Sequence, residues 1–189
     1  MNLEDFRSEW IEDLRVAAEA NQSDPHSEFV LEAVDRLSEA EEIENVEVGY
    51  FEGRYKNAKM MIDGYAFDVV DKSCALLISD YSNSEQLETL TATDIDRLYN
   101  NMRYLVEAAL EGYIIDNKFE ESSTGYMFAT EVSRLFKNGE VSKFRFYILT
   151  NKKLSDKVKN LKKDPINGKQ VNLNAWDITR FYNLFTSTP

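Results

Sequence analysis

Two carboxylates, Asp63 and Asp80, stand in the one stretch of this chain whose residue types suggest metal chemistry. The stretch is KMMIDGYAFDVVDKSCALLISDYS, residues 59–82, and it reads as two adjacent β-strands joined by an Asp-Lys-Ser turn. Hard divalent cations take oxygen ligands, so acids on neighbouring strands can hold Mg²⁺ against a phosphate. The same residues can be ordinary strand-end acids, and Asp63-Gly64 can shape a bulge whose carboxylate accepts backbone hydrogen bonds. Both readings stay open at this level.

Other chemistry is sparse. The lysine-rich run NKKLSDKVKNLKK, residues 151–163, offers Lys152, Lys153 and Lys157 as candidate phosphate contacts. It has no interleaved aromatic residue and no arginine, so a solvated helix face explains it as simply. His26 is the only histidine and has no histidine or cysteine near it in sequence. Cys74 is the only cysteine, which excludes an intramolecular disulfide and suits a reducing cytoplasm; its apolar strand predicts a small buried hydrophobe. The 7 glycines do not cluster into a phosphate loop, so no nucleotide cofactor is expected.

These residues need elements to position them. Leu3, Phe6, Trp10, Leu14, Ala17 and Ala18 form one apolar stripe, predicting a helix over residues 3–20. Pro25 opens a second, over 26–40, with Phe29, Val30, Ala33, Val34 and Leu37 inward. Val46, Val48 and Tyr50 alternate as a strand, Glu52-Gly53-Arg54 reads as a turn, and strands follow over 56–70 and 73–80. Thr91-Ala-Thr-Asp94 resembles a capping box ahead of the strongest helical periodicity, Ile95 to Leu110. A helix with Met127, Phe128, Val132, Leu135 and Phe136 ends at Asn138-Gly139. A strand over 144–149, a short helix over 155–161, a strand at Val171–Leu173 and a helix from Trp176 complete the chain. The order α-α-β-β-β-α-α-β-α-β-α predicts an α/β (α+β) protein: one mixed sheet flanked by helices, in a single domain over residues 1–189.

The formal net charge of −12 lies wholly in residues 1–48, which hold 15 acidic and 3 basic residues; residues 49–189 carry 19 of each. That acidic helical part would repel a nucleic-acid backbone and could attract a basic protein partner. The N-terminal residues do not resemble a secretory leader, and no apolar run approaches the roughly 20 residues of a membrane span. A cytoplasmic protein without membrane attachment is expected.

A helix, a meander and a further helix, with acids on the second and third strands, resembles the restriction-endonuclease-like fold. That resemblance implies an acid, a spacer and a lysine on the third strand; the corresponding triplet here is Asp80-Tyr81-Ser82, with no lysine. It also implies an acid on the preceding helix, for which Glu32 is the candidate and Glu28 and Asp35 the alternatives. Lys59 and Lys72 are the possible replacements for the missing lysine.

Four ordered stretches, IDGYAFDVVDKSCALLISDYS, LTATDIDRLYNNMRYLVEAAL, FYILTNKKLS and VNLNAWDITRFYNLF, together resemble the N-terminal region of the abortive infection phage resistance family. They span about residues 28–185, and the last two also resemble the end of Mrr-like restriction-endonuclease domains. The resemblance implies a bacterial phage-defence protein, usually part of a longer chain through which nucleic acid would be met. Asp63 and Asp80 match the family's acidic positions, while Asp-Tyr-Ser departs from the nuclease pattern. The leading expectation is a catalytically degenerate nuclease-like domain acting in recognition or assembly. The alternatives are an active Mg²⁺-dependent DNA or RNA endonuclease using Asp63 and Asp80, and an acidic protein-interaction domain.

Overall fold

The computed structural model describes residues 1–187. The chain begins with helices α1 (Leu3–Asn21) and α2 (Pro25–Glu39). Strands β1 (Glu47–Tyr55), β2 (Ala58–Asp68), β3 (Ser73–Asp80) and β4 (Thr89–Leu90) follow. Helices α3 (Ala92–Leu110), α4 (Tyr113–Asp116) and α5 (Thr124–Lys137) lead to strands β5 (Lys143–Thr150), β6 (Lys153–Leu154) and β7 (Gln170–Trp176), and α6 (Ile178–Ser187) comes last.

Side-chain caps start the long helices. The Asn2 side chain accepts the Asp5 amide at 2.8 Å, and Asp24 accepts that of Ser27 at 2.9 Å ahead of Pro25. Thr91 and Asp94 exchange both bonds of a capping box, with Asp serving where Glu or Gln is usual.

Five strands form one mixed sheet in the order β1-β2-β3-β5-β7. The meander β1-β2-β3 is antiparallel; β3-β5 and β5-β7 are parallel. Each face of the sheet carries its own core. Ile62, Leu76, Ile78 and Phe146 pack with Leu98, Met102 and Leu105 of α3 and Phe128 and Val132 of α5. Opposite them, Leu77, Leu149 and Trp176 pack with Phe6, Trp10 and Leu14 of α1, Phe29 and Leu37 of α2, and Phe181 of α6. The fold is therefore α+β, a sheet between two helical layers. No described helix is long and apolar enough to cross a membrane.

Three expectations are corrected. The turn before β2 is not at Glu52-Gly53-Arg54, which continues β1, but at Lys56-Asn57, where Lys56 takes a φ of 56°. Gly53 serves close approach instead: a Cβ there would meet the rings of Phe119 and Phe51 at 3.0 and 3.1 Å. Val69 and Val70 leave the strand expected over 56–70. Asp68 Oδ1 accepts the Val70 amide at 2.9 Å, closing a turn that exposes both valines. The helix expected over 155–161 is absent. Ser155 accepts the amides of Lys157 and Val158 in a single turn, and five lysines between 153 and 163, opposed by Asp156, repel any continuation. Val158 and Leu161 still pack against the α3 core, so the segment buries its apolar groups without helix formation. The observed order therefore lacks that helix and gains α4 and the short parallel pair β4-β6.

A bulge lies opposite the stretch carrying Asp63. Val48 pairs with Gly64 and Phe51 with Ile62, so β1 carries the extra residue. Along β2, Met60 and Ile62 before the bulge and Tyr65 and Phe67 after it all join the α3 core. The side-chain parity of β2 thus changes across Asp63-Gly64.

Candidate functional site

Asp63 is buried at 7% exposure on a strand otherwise rich in apolar side chains. The β2-β3 ladder runs from Asp68↔Ser73 to Gly64↔Leu77. Past it, Asp63 Oδ2 accepts the Ser79 amide at 2.7 Å and the Ser79 hydroxyl at 2.8 Å. The carboxylate thereby does the work of the next backbone carbonyl. His26 Nε2 lies 2.6 Å from Ser79 Oγ. With the Ser79 hydroxyl donating to Asp63, the imidazole N–H donates to Ser79, so every polar hydrogen in the chain His26–Ser79–Asp63 is used. Burial raises the Asp63 carboxyl above the usual carboxylate range, and the two Ser79 bonds and His26 pull it down by less. Tyr50 of β1 feels the same carboxylate. Its phenol is pushed up to about 12, first by burial, then by its hydrogen bond to Glu52 and the charges of Glu52 and Asp63.

Period-two alternation places Ser79 and Tyr81 on one face of the sheet and Asp80 on the other. Their partners agree. Tyr81 stacks on His26 with ring centroids 5.7 Å apart and packs on Phe29 of α2 at 5.3 Å. Asp80 turns toward α3, pairing with Lys152 Nζ at 3.2 Å and Arg97 Nη2 at 3.7 Å. The structure therefore does not bring Asp63 and Asp80 together. The triplet whose outer residues share Asp63's face is Ser79-Asp80-Tyr81, one residue earlier than the sequence pattern implies.

The other candidates are dispersed. Glu32 lies toward α1, where burial raises its carboxyl and Trp10 and Arg36 lower it. Lys152 is engaged by Asp80, whereas Lys153 and Lys157 are exposed along β6 and the loop after it. Lys59 pairs with Glu52 at 3.0 Å, and Lys72 sits in the β2-β3 turn with a φ of 56°. Three residues of the observed cluster, His26, Ser79 and Tyr81, lay outside the expected site. Pro25 did place His26 at the start of α2, but only the fold shows what it faces.

A divalent ion does not fit these residues. Asp63 spends one oxygen on two hydrogen bonds, the imidazole meets a hydroxyl and not a second carboxylate, and Asp80 faces two cations. Among the described residues, no group of three or more His, Cys, Asp and Glu could hold a metal.

The model of the abortive infection phage resistance protein N-terminal domain matches residues 29–183, from the second turn of α2 into α6. No curated protein and no solved structure matches the chain. The matched span includes the whole sheet and all of the site except His26. The chain belongs to the family of abortive infection phage resistance protein N-terminal domains, which ties it to phage defence by abortive infection.

Proposed function

We propose that this is a nuclease-like domain whose hydrolytic centre is degenerate, and that it serves phage defence through recognition or assembly. The observation that carries this reading is the identity of the side chains beside Asp63. Metal-assisted phosphodiester hydrolysis needs a second oxygen ligand and a cation at the reacting phosphate. The positions at the end of β3 that share Asp63's face hold Ser79 and Tyr81, which supply neither a second carboxylate nor a cation. The helix–meander–helix order, with β5 parallel to β3, supports the relation to restriction-endonuclease-like domains. The nearest lysine ammonium to either acid, Lys152 Nζ at 3.2 Å from Asp80, sits on the α3 side of the sheet.

The test is incubation of the purified chain with duplex and single-stranded DNA and with RNA, in Mg²⁺ and in Mn²⁺. No cleavage above a no-protein control is expected. Cleavage that persists through repurification and disappears in both Asp63→Ala and Asp80→Ala would overturn the reading.

The acidic connection after α2 suggests how such a domain meets a partner. Glu41, Glu42 and Glu44 line a cavity of about 470 Å³ beside Asp68 and the exposed Val69 and Val70. A basic, partly apolar protein segment suits that surface. Charge reversal at Glu41 and Glu44 should then weaken partner capture, and more so at low salt.

A further inference from the structure

Arg7 is a buried cation with no countercharge in contact among the described residues. Its side chain is 1% exposed. Nε donates to the Asn151 carbonyl at 3.0 Å and Nη1 to the Ser84 carbonyl at 2.8 Å, both neutral acceptors. Nη2 has no hydrogen-bond partner among the described residues. Glu88 is the largest opposing charge, but it acts without direct contact and its carboxylate accepts the Ser82 hydroxyl. A guanidinium withdrawn from water in this way is costly unless an anion completes its donor set.

A cavity of about 310 Å³ opens beside it, between α1 and the connection after β3. Arg15 lines the same cavity, with Ser8, Asn83 and Glu85. Residues 1–48 contain three basic residues, Arg7, Arg15 and Arg36, and two of the three converge here. Arg7 and Arg15 lie two turns apart on one helix face. Among the described residues Arg15 has one exposed polar contact, with Glu12 at 3.5 Å. The Tyr81 hydroxyl is buried nearby, without a hydrogen-bond partner among the described residues, and both arginines act on it electrostatically. The cavity lining carries two guanidiniums and one carboxylate, that of Glu85.

We infer that the cavity between α1 and the β3-β4 connection binds a phosphate group, held by Arg7 and Arg15. A phosphate accepts hydrogen bonds at several oxygens and meets a guanidinium fork with two parallel bonds. The site stands on α1 and is independent of whether the Asp63 centre is a nuclease remnant. Two sources share this chemistry, free inorganic phosphate and the terminal phosphate of a nucleotide.

The probes are inorganic phosphate and adenosine 5′-monophosphate, titrated calorimetrically into the full chain at constant ionic strength with chloride as control. Saturable binding is expected, weakened about tenfold in Arg15→Gln, which loses one charged contact. Glu85→Gln should tighten binding by removing a like charge from the cavity. Tighter binding of the nucleotide than of phosphate assigns the nucleotide terminus, and equal or weaker binding assigns the free ion. Both substitutions are at exposed side chains, so the test does not depend on altering buried Arg7. No saturable binding of either probe, or an affinity unchanged in Arg15→Gln, would overturn the inference.

Discussion

Asp63 holds Ser79 twice through a single oxygen, binding its amide at 2.7 Å and its hydroxyl at 2.8 Å. The carboxylate thus substitutes for a missing rung of the β2-β3 ladder, and its loss would leave a buried amide unpaired. Asp63→Ala should destabilise the chain by about 1–3 kcal/mol, read from urea unfolding midpoints. Asp63→Asn retains an acceptor and should cost less.

The same residue predicts a pH dependence. Burial holds its carboxyl above its unfolded value, so the folded chain binds that proton more tightly. The stabilisation this brings is complete at pH values below the unfolded pKa and is lost as pH rises through the folded one. Asp63→Asn cannot lose a proton there. Its stability relative to the unsubstituted chain should therefore improve as pH rises from about 4 and level off once the folded carboxyl has ionised. A relative stability that is flat, or falls with pH, would contradict the assignment of burial as the dominant cause.

Among the described residues, Asp80 and Lys152 form the ion pair most shielded from solvent, with side chains 14% and 18% exposed. Such a pair lies between surface ion pairs and fully buried ones, so a double-mutant cycle on Asp80→Asn and Lys152→Met should give a coupling of about 1–2 kcal/mol. Arg97 also approaches Asp80, at 3.7 Å, so the Lys152→Met variant alone should keep part of the attraction.

Gly125, in the first turn of α5, has the Phe51 ring against it. A Cβ there would lie 2.5 Å from the ring carbons. Gly125→Ala should therefore lower stability by about 1–3 kcal/mol through overpacking, although alanine favours helix. A thermal melt on the variant decides between these opposing effects.

Cys74 is fully buried, and burial pushes its thiol well above the usual range. A thiol reagent such as dithionitrobenzoate should leave the native chain unmodified and react with one thiol once denaturant is added.

Much of the fold was legible because its signals are local. The stripe from Ile95 to Leu110, the Thr91 cap and the apolar run of β3 each lie within a few turns or a few strand residues. The orientation of the site was not. Which residues of β3 share a face with Asp63 depends on the parity change across Asp63-Gly64, and that depends on a bulge in β1. A one-residue shift in reading exchanges Ser79 and Tyr81 for Asp80 and Ser82, and with them the chemistry. His26 was invisible for a related reason, since it meets Ser79 across 53 positions of sequence. The lysine-rich segment misled in another way: its apolar spacing is helical, but its charge pattern opposes a helix.

The pairing of α1 with α6 has a consequence for synthesis. The Tyr182 hydroxyl donates to the Met1 carbonyl at 2.8 Å, and Phe6 sits edge-on to Tyr182 and Phe185. Helix α1 is therefore completed by the last helix described, α6. Until residues 178–187 arrive, the aromatic side of α1 has no permanent cover, and α1 with α2 must wait on a sheet that assembles after them. Chaperone contact during translation should accordingly include α1, whose aromatic stripe emerges well before the helix that covers it.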